Sequence, residues 1–232
     1  MSYVVTSEYE LNRVVAPRLP VATSEYDENY VNQLNNVLRL YFNQLDNIIG
    51  QLSTSGGISG VRFPFIAASD NAIQYATAAD TPTIIQWDTL EQGNGFTLNA
   101  GNTATAEFAG IYKITYSLQF ANNDNAAHDA VVWLRVNGAT SAADITDSST
   151  VFTVAARKSA GVPTFVCGYS EVVFQLDAGD TLGLWWGTNQ AATSGGATGI
   201  YIDYRAAQTT PMPYPAVPSA IGSITFVSAL PT

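Results

Sequence analysis

Between Tyr30 and Leu52 the apolar positions Tyr30, Leu34, Val37, Tyr41, Leu45, Ile48 and Leu52 fall at spacings of 4, 3, 4, 4, 3 and 4. Threes and fours place a stripe along one side of an α-helix. Tyr30 and Tyr41, Leu34 and Leu45, Val37 and Ile48, and Tyr41 and Leu52 each lie eleven residues apart, a repeat that keeps the stripe aligned on a nearly straight rod. A second row, Val31, Leu38, Phe42 and Ile49, widens the apolar face beyond what a two-stranded coiled coil covers. Asn32, Asn35, Asn36, Asn43 and Asn47 fill much of the polar side. The pattern predicts an oligomerisation helix over 24–52 in a bundle of three or more, with the seven stripe residues as its seam. One amphipathic helix lying on its own domain is the alternative. Ser24 and Asp27 have the spacing of a capping box with Asp in place of Glu or Gln, and Asp27 and Glu28 suit the positive end of the helix dipole. Gly50 weakens the far end, and residues 53–60 have the composition of a flexible linker.

The pattern differs on either side. Residues 1–23 mix β-branched residues, Tyr3 and Tyr9 with Pro17 and Pro20, the composition of an extended arm. Such an arm cannot bury its apolar side chains alone, so Tyr3, Val4, Val5, Leu11, Val14 and Val15 are expected to anchor it on another protein. After Gly60 the period becomes two. Tyr112, Ile114, Tyr116, Leu118 and Phe120 alternate with Ile111, Lys113, Thr115, Ser117 and Gln119, which gives a strand with one large apolar face. Val131 to Val136 leads into the turn pair Asn137-Gly138. Further strands are expected over 62–66, 84–87, 96–98, 105–108, 151–155, 171–176, 181–186, 200–204 and 221–227. Many short strands without crossover helices predict a mainly β chain: an antiparallel jelly-roll sandwich over 61–232, preceded by the extended arm and one long N-terminal helix.

Composition narrows the functional classes. The 232 residues include only 12% charged side chains against 47% hydrophobic ones, so much of the surface is neutral. Nine Lys plus Arg against nineteen Asp plus Glu give a net charge of −10, and the basic residues are scattered. Nucleic acid and anionic lipid would be repelled, so neither is an expected partner. Met1-Ser2-Tyr3-Val4-Val5 followed by Glu8 and Glu10 lacks the basic and apolar regions of a signal peptide, and no apolar run approaches the ~20 residues of a membrane span.

Two stretches resemble a known superfamily. Phe108-Ala109-Gly110-Ile111-Tyr112-Lys113-Ile114 is similar to the aromatic-x-Gly-x-Tyr-x-aliphatic strand of complement globular heads and tumour necrosis factors. Leu176-Asp177-Ala178-Gly179-Asp180-Thr181-Leu182-Gly183-Leu184 is similar to their later turn and strand. Glycine is expected to permit a tight start to each strand. A narrower resemblance runs through Tyr116 to Phe120, His128 to Gly138 and Pro215 to Ile221, which look like trimeric virion proteins of tailed bacteriophages. Leu19 to Ala22 and Asn32 to Leu45 resemble N-terminal segments of marine phage structural proteins. The resemblance implies a homotrimer located in the virion, assembled in the infected host cytoplasm. Its arm and helix would attach to other phage virion proteins, and its jelly-roll head would face outward.

Catalytic chemistry has little to stand on. His128 is the only histidine and Cys167 the only cysteine; no Gly-x-Ser-x-Gly elbow, P-loop or dinucleotide fingerprint is present. Cys167 is expected to be a small buried residue, and His128 a hydrogen-bonding residue at a loop or strand end. Asp144 with Asp147, or Asn122, Asn123 and Asp124, could offer oxygen ligands to Ca²⁺, but turn-forming roles fit them better. Trp185 and Trp186, with Tyr201, Tyr204 and Tyr214, could form an aromatic platform for sugars, although alternation puts the two tryptophans on opposite faces. Taken with the resemblance, the sequence implies a non-enzymatic phage structural protein without cofactor or metal. A receptor-binding tip recognising a host-surface glycan and a capsid decoration protein are the alternatives.

Overall fold

A computed structural model describes residues 16–21, 25–53, 63–100, 102–192 and 198–230, with side chains of residues 50–53 excepted. The chain divides between Phe63 and Pro64 into two units. In the first, α1 spans Glu28–Ser53. Its cap is Asp27, whose Oδ1 accepts the Asn29 N–H at 2.9 Å while its carbonyl accepts the Val31 N–H. The helix thus begins after Asp27 rather than at Ser24, because the nearer carboxylate already satisfies a free N–H of the first turn.

The second unit contains thirteen strands among the described residues: β1 (Phe65–Asp70), β2 (Gln74–Tyr75), β3 (Thr83–Ile84), β4 (Thr89–Asn94), β5 (Phe96–Leu98), β6 (Thr103–Ala106), β7 (Gly110–Asn122), β8 (His128–Val136), β9 (Asp144–Val154), β10 (Thr164–Leu176), β11 (Thr181–Thr188), β12 (Ile200–Ile202) and β13 (Ala220–Ser228). The first sheet runs β2-β12-β7-β13-β1-β4, and β10 pairs with β7 along its whole length. The second runs β5-β6-β11-β8-β9, with β3 also on β11. Every strand pairing is antiparallel, and the two sheets make the expected jelly-roll sandwich.

The core lies between the sheets. Tyr112, Tyr116, Leu118 and Phe120 of β7 are fully buried, as are Val132, Leu134, Leu184 and Trp186 from the second sheet. Full burial of each such side chain contributes roughly 1.5–3 kcal/mol, so the alternation of β7 and β8 supplies much of the driving force. Phe120 lies 5.9 Å from Trp186 and 5.6 Å from Phe152, ring centre to ring centre. Gly179 sits at φ +91°, as the turn between β10 and β11 requires. Gly110 serves another purpose than the tight strand start expected of it: a Cβ there would stand 2.6 Å from Cε2 of Phe226. Close ring packing, rather than a turn, excludes a side chain.

Several expected strands change their bounds. β9 begins at Asp144, well before the expected 151, and β10 at Thr164 rather than 171. β4 has no counterpart among the expected strands, and of the 84–87 region only Ile84 is strand, as the second residue of β3. The proline-rich stretch before β13 makes a small excursion in which Arg205 bridges Val217 and Gln208 bridges Tyr214.

Candidate interaction surfaces

The seam of α1 is the first surface. Tyr30, Leu34, Val37, Tyr41, Leu45 and Ile48 are only partly covered, and none of the helix side chains described is buried. Leu40, Phe42 and Ile49 are each more than half exposed. Leu52 belongs to the helix, but its side chain lies outside the described residues, as do Tyr3, Val4, Val5, Leu11, Val14 and Val15 of the arm.

The second surface is the outward side of the first sheet. Register sets Tyr169 of β10 opposite Ser117 of β7, which in turn faces Ile221 of β13. The next outward row is Glu171, Thr115 and Ser223, and the one beyond is Val173, Lys113 and Thr225. Tyr169 is 58% exposed, Val173 57% and Ile221 48%, so apolar side chains flank a centre of small hydroxyl residues. The one ion pair on these rows, Lys113 Nζ to Glu171 Oε2 at 3.3 Å, is itself exposed. Cys167 lies on this face, exposed rather than buried as expected, with its Sγ 3.2 Å from Ser117 Oγ. The odd residues of β10 point outward, and Gly168 takes the inward place against Phe120.

The third surface is the outward side of the second sheet. Here Trp133 and Trp185 stand side by side in register on β8 and β11, while Trp186 is wholly inside. Arg135 is 4% exposed; its guanidinium lies 4.3 Å from the Trp185 ring centre and 5.5 Å from that of Trp133. Asp144 holds the arrangement together, accepting from Arg135 Nε and, at 2.7 Å, from Trp133 Nε1. The Arg135 hydrogen bond first, and then the Trp133 bond, hold the Asp144 carboxyl below the usual aspartate range. Asp144 is thus the anchor of an aromatic and cationic stack, with its Oδ1 shared between the two protein donors. Sequence alternation would have put Trp133 and Trp185 outside together, since Val132, Leu134 and Trp186 are the inward residues.

The remaining candidates occupy structural roles. Asn122 Nδ2 donates to the carbonyls of Ala126, Val154 and Ala155, and its Oδ1 accepts the Asp124 N–H, so its polar atoms are committed to the protein. His128 begins β8 with Nε2 2.6 Å from Asp124 Oδ2, the strand-end hydrogen bond anticipated from its position. That bond, followed by the Asn125 N–H, lowers the Asp124 carboxyl. His128 and Cys167 lie on different sheets. Asp147 is exposed, and among the described residues no group of three or more His, Cys, Asp or Glu side chains gathers as metal ligands. A cleft beside Trp87 and Ile66 offers only about 30 Å³, room for about one water.

No family model matches the chain, and no curated protein matches it. Among solved structures it is similar to the globular domain of a zebrafish complement 1qA protein, at 13% identity and a TM-score of 0.41 over 73% of this chain and 100% of that one. It is also similar to the Eiger tumour necrosis factor of S. frugiperda, at 10% identity and a TM-score of 0.43 over 73% of this chain and 96% of the other.

Proposed function

We propose that this chain is a non-enzymatic structural protein of a phage virion. Three copies join through α1 and through the outward face of the first sheet, and the jelly rolls form the displayed head. The observation that carries this reading is the apolar seam of α1: two rows of large side chains on 26 residues, with none of those described buried. A helix with so wide an apolar face is stable in water when other helices cover it. The exposed Tyr169, Val173 and Ile221 support a second area of contact between copies, and a surface poor in charge suits broad neutral interfaces. Residues 1–23 are proposed to dock on other virion proteins.

Light scattering on the purified chain should give three times 24.7 kDa. In that assembly Cys167 should resist a maleimide reagent and become reactive only on denaturation. A stable monomer at micromolar concentration would remove the reading, and a trimer with freely reactive Cys167 would confine the contact to the helix. The virion role is tested separately by mass spectrometry of purified particles, from which the chain's absence would overturn it.

A further inference from the structure

Beside Trp133 the outward face of the second sheet is hollowed into an open groove of about 320 Å³. We propose that this groove binds a neutral pyranose of a glycan, an inference independent of where the chain resides. Its floor is Val131 and Gly187, directly opposite each other in the β8–β11 register. A Cβ on Gly187 would make only ordinary contact, 3.7 Å to the Trp133 ring and 3.8 Å to the Thr81 carbonyl, so the backbone could accept a side chain there. The missing side chain is what gives the groove its depth. Trp133 walls one end, and its ring orientation is fixed by the bond from Nε1 to Asp144.

Polar groups stand at the opposite end. Asp129 Oδ1 accepts the Thr153 hydroxyl at 2.6 Å, and the Asp129 N–H donates to Asn189 Oδ1 at 3.2 Å. These two bonds orient the side chains and leave Asp129 Oδ2 and the Asn189 NH₂ without a partner among the described residues. Asp80 adds an exposed carboxylate at the rim, its backbone fixed at φ +56° by an N–H bond to the Thr188 carbonyl. An aromatic wall with a carboxylate and an amide held by hydrogen bonds, and a second carboxylate at the rim, matches a pyranose, which offers apolar C–H groups and a ring of hydroxyls. Hydroxyls donate to Asp129 and Asp80 and accept from Asn189. Acidic sugars would meet two carboxylates and a net charge of −10. A cationic ligand fits less well, because Arg135 already lies against the Trp133 ring and sets a positive charge next to the groove.

Saturation-transfer NMR on the full chain tests the site with the methyl glycosides of glucose, galactose and mannose, N-acetylglucosamine, and their linear oligomers. At least one should receive magnetisation on its ring protons. Gly187→Leu, which fills the floor, and Asn189→Ala, which removes an exposed amide, should each weaken that binding by about tenfold or more. No transfer to any of these sugars overturns the proposal, and so does binding that both variants leave unchanged. Displacement of the sugar by millimolar tetramethylammonium would assign the groove to cations instead and equally overturn it. Each outcome is read on soluble protein, so failure here is distinguishable from failure of the virion reading.

Discussion

Four aspartates show how one side chain acquires opposite effects on stability from its surroundings. Asp124 and Asp144 accept hydrogen bonds from His128 and Arg135 respectively, which lower both carboxyls. Their stabilisation is present above the unfolded aspartate value, near pH 4, and is lost as pH falls through the lower folded value. Asp70 and Asp203 are raised, in both cases chiefly by burial. In the window above about pH 4 the folded chain still holds their protons while the unfolded chain has released them, so their contribution falls as pH rises. Asp70→Asn removes one such group. Its melting temperature relative to the parent should therefore shift in favour of the variant between about pH 3 and pH 7, as read by thermal melts across that range. At Asp144 the expected outcome is a loss. Asp144→Ala leaves the buried Arg135 guanidinium without its carboxylate and should cost about 2–3 kcal/mol in denaturant titrations. The figure lies below that for a fully enclosed pair because 31% of the Asp144 side chain still meets water.

At the scale of elements, legibility followed how differently the two sides of each element are buried. The helix could be read because its apolar rows keep an eleven-residue register, and β7 because its inward residues are large while Lys113, Thr115, Ser117 and Gln119 face out. The N-terminal half of β10 gave no such contrast: Phe165 and Tyr169 face outward, while Gly168 occupies the inward place against Phe120. Asp144 and Asp147 read as turn residues, yet both lie in β9. Ser148 is buried there, with its hydroxyl accepting the Leu134 N–H and donating to the Ile145 carbonyl at the irregularity between Val132 and Leu134. Among the described residues β4 pairs only with β1, at the border of its sheet, and is mostly exposed, so its Leu-Glu-Gln-Gly carries no core pattern. The groove beside Trp133 was hidden for a related reason: its floor includes a glycine, and its polar groups come from separate loops and strands. For the helix, Leu34→Asp with Leu45→Asp should place charges in the seam and weaken assembly by several kcal/mol. Sedimentation against concentration would detect this as a shift toward monomer.

For the molecule as a whole, the core residues among those described all belong to the second unit. Residues 61–232 alone should therefore give a β-type circular dichroism spectrum and one cooperative melt; an unfolded fragment beside sound full-length protein would place part of the head's stability in the helix.

The position of β13 has a consequence for how the chain is made. β13 lies between β1 and β7, so the earliest strand of the first sheet reaches the middle of that sheet only through the latest. Ser219 bonds Asp70 across 149 residues, and Thr225 bonds Lys113 across 112. As the chain is made, β1 and β7 lack the strand that belongs between them, while every strand of the second sheet from β5 through β11 already exists. Until β13 is in place, Ile66 and Ile114 have no Ile224 between them, and that stretch of the core is one strand short.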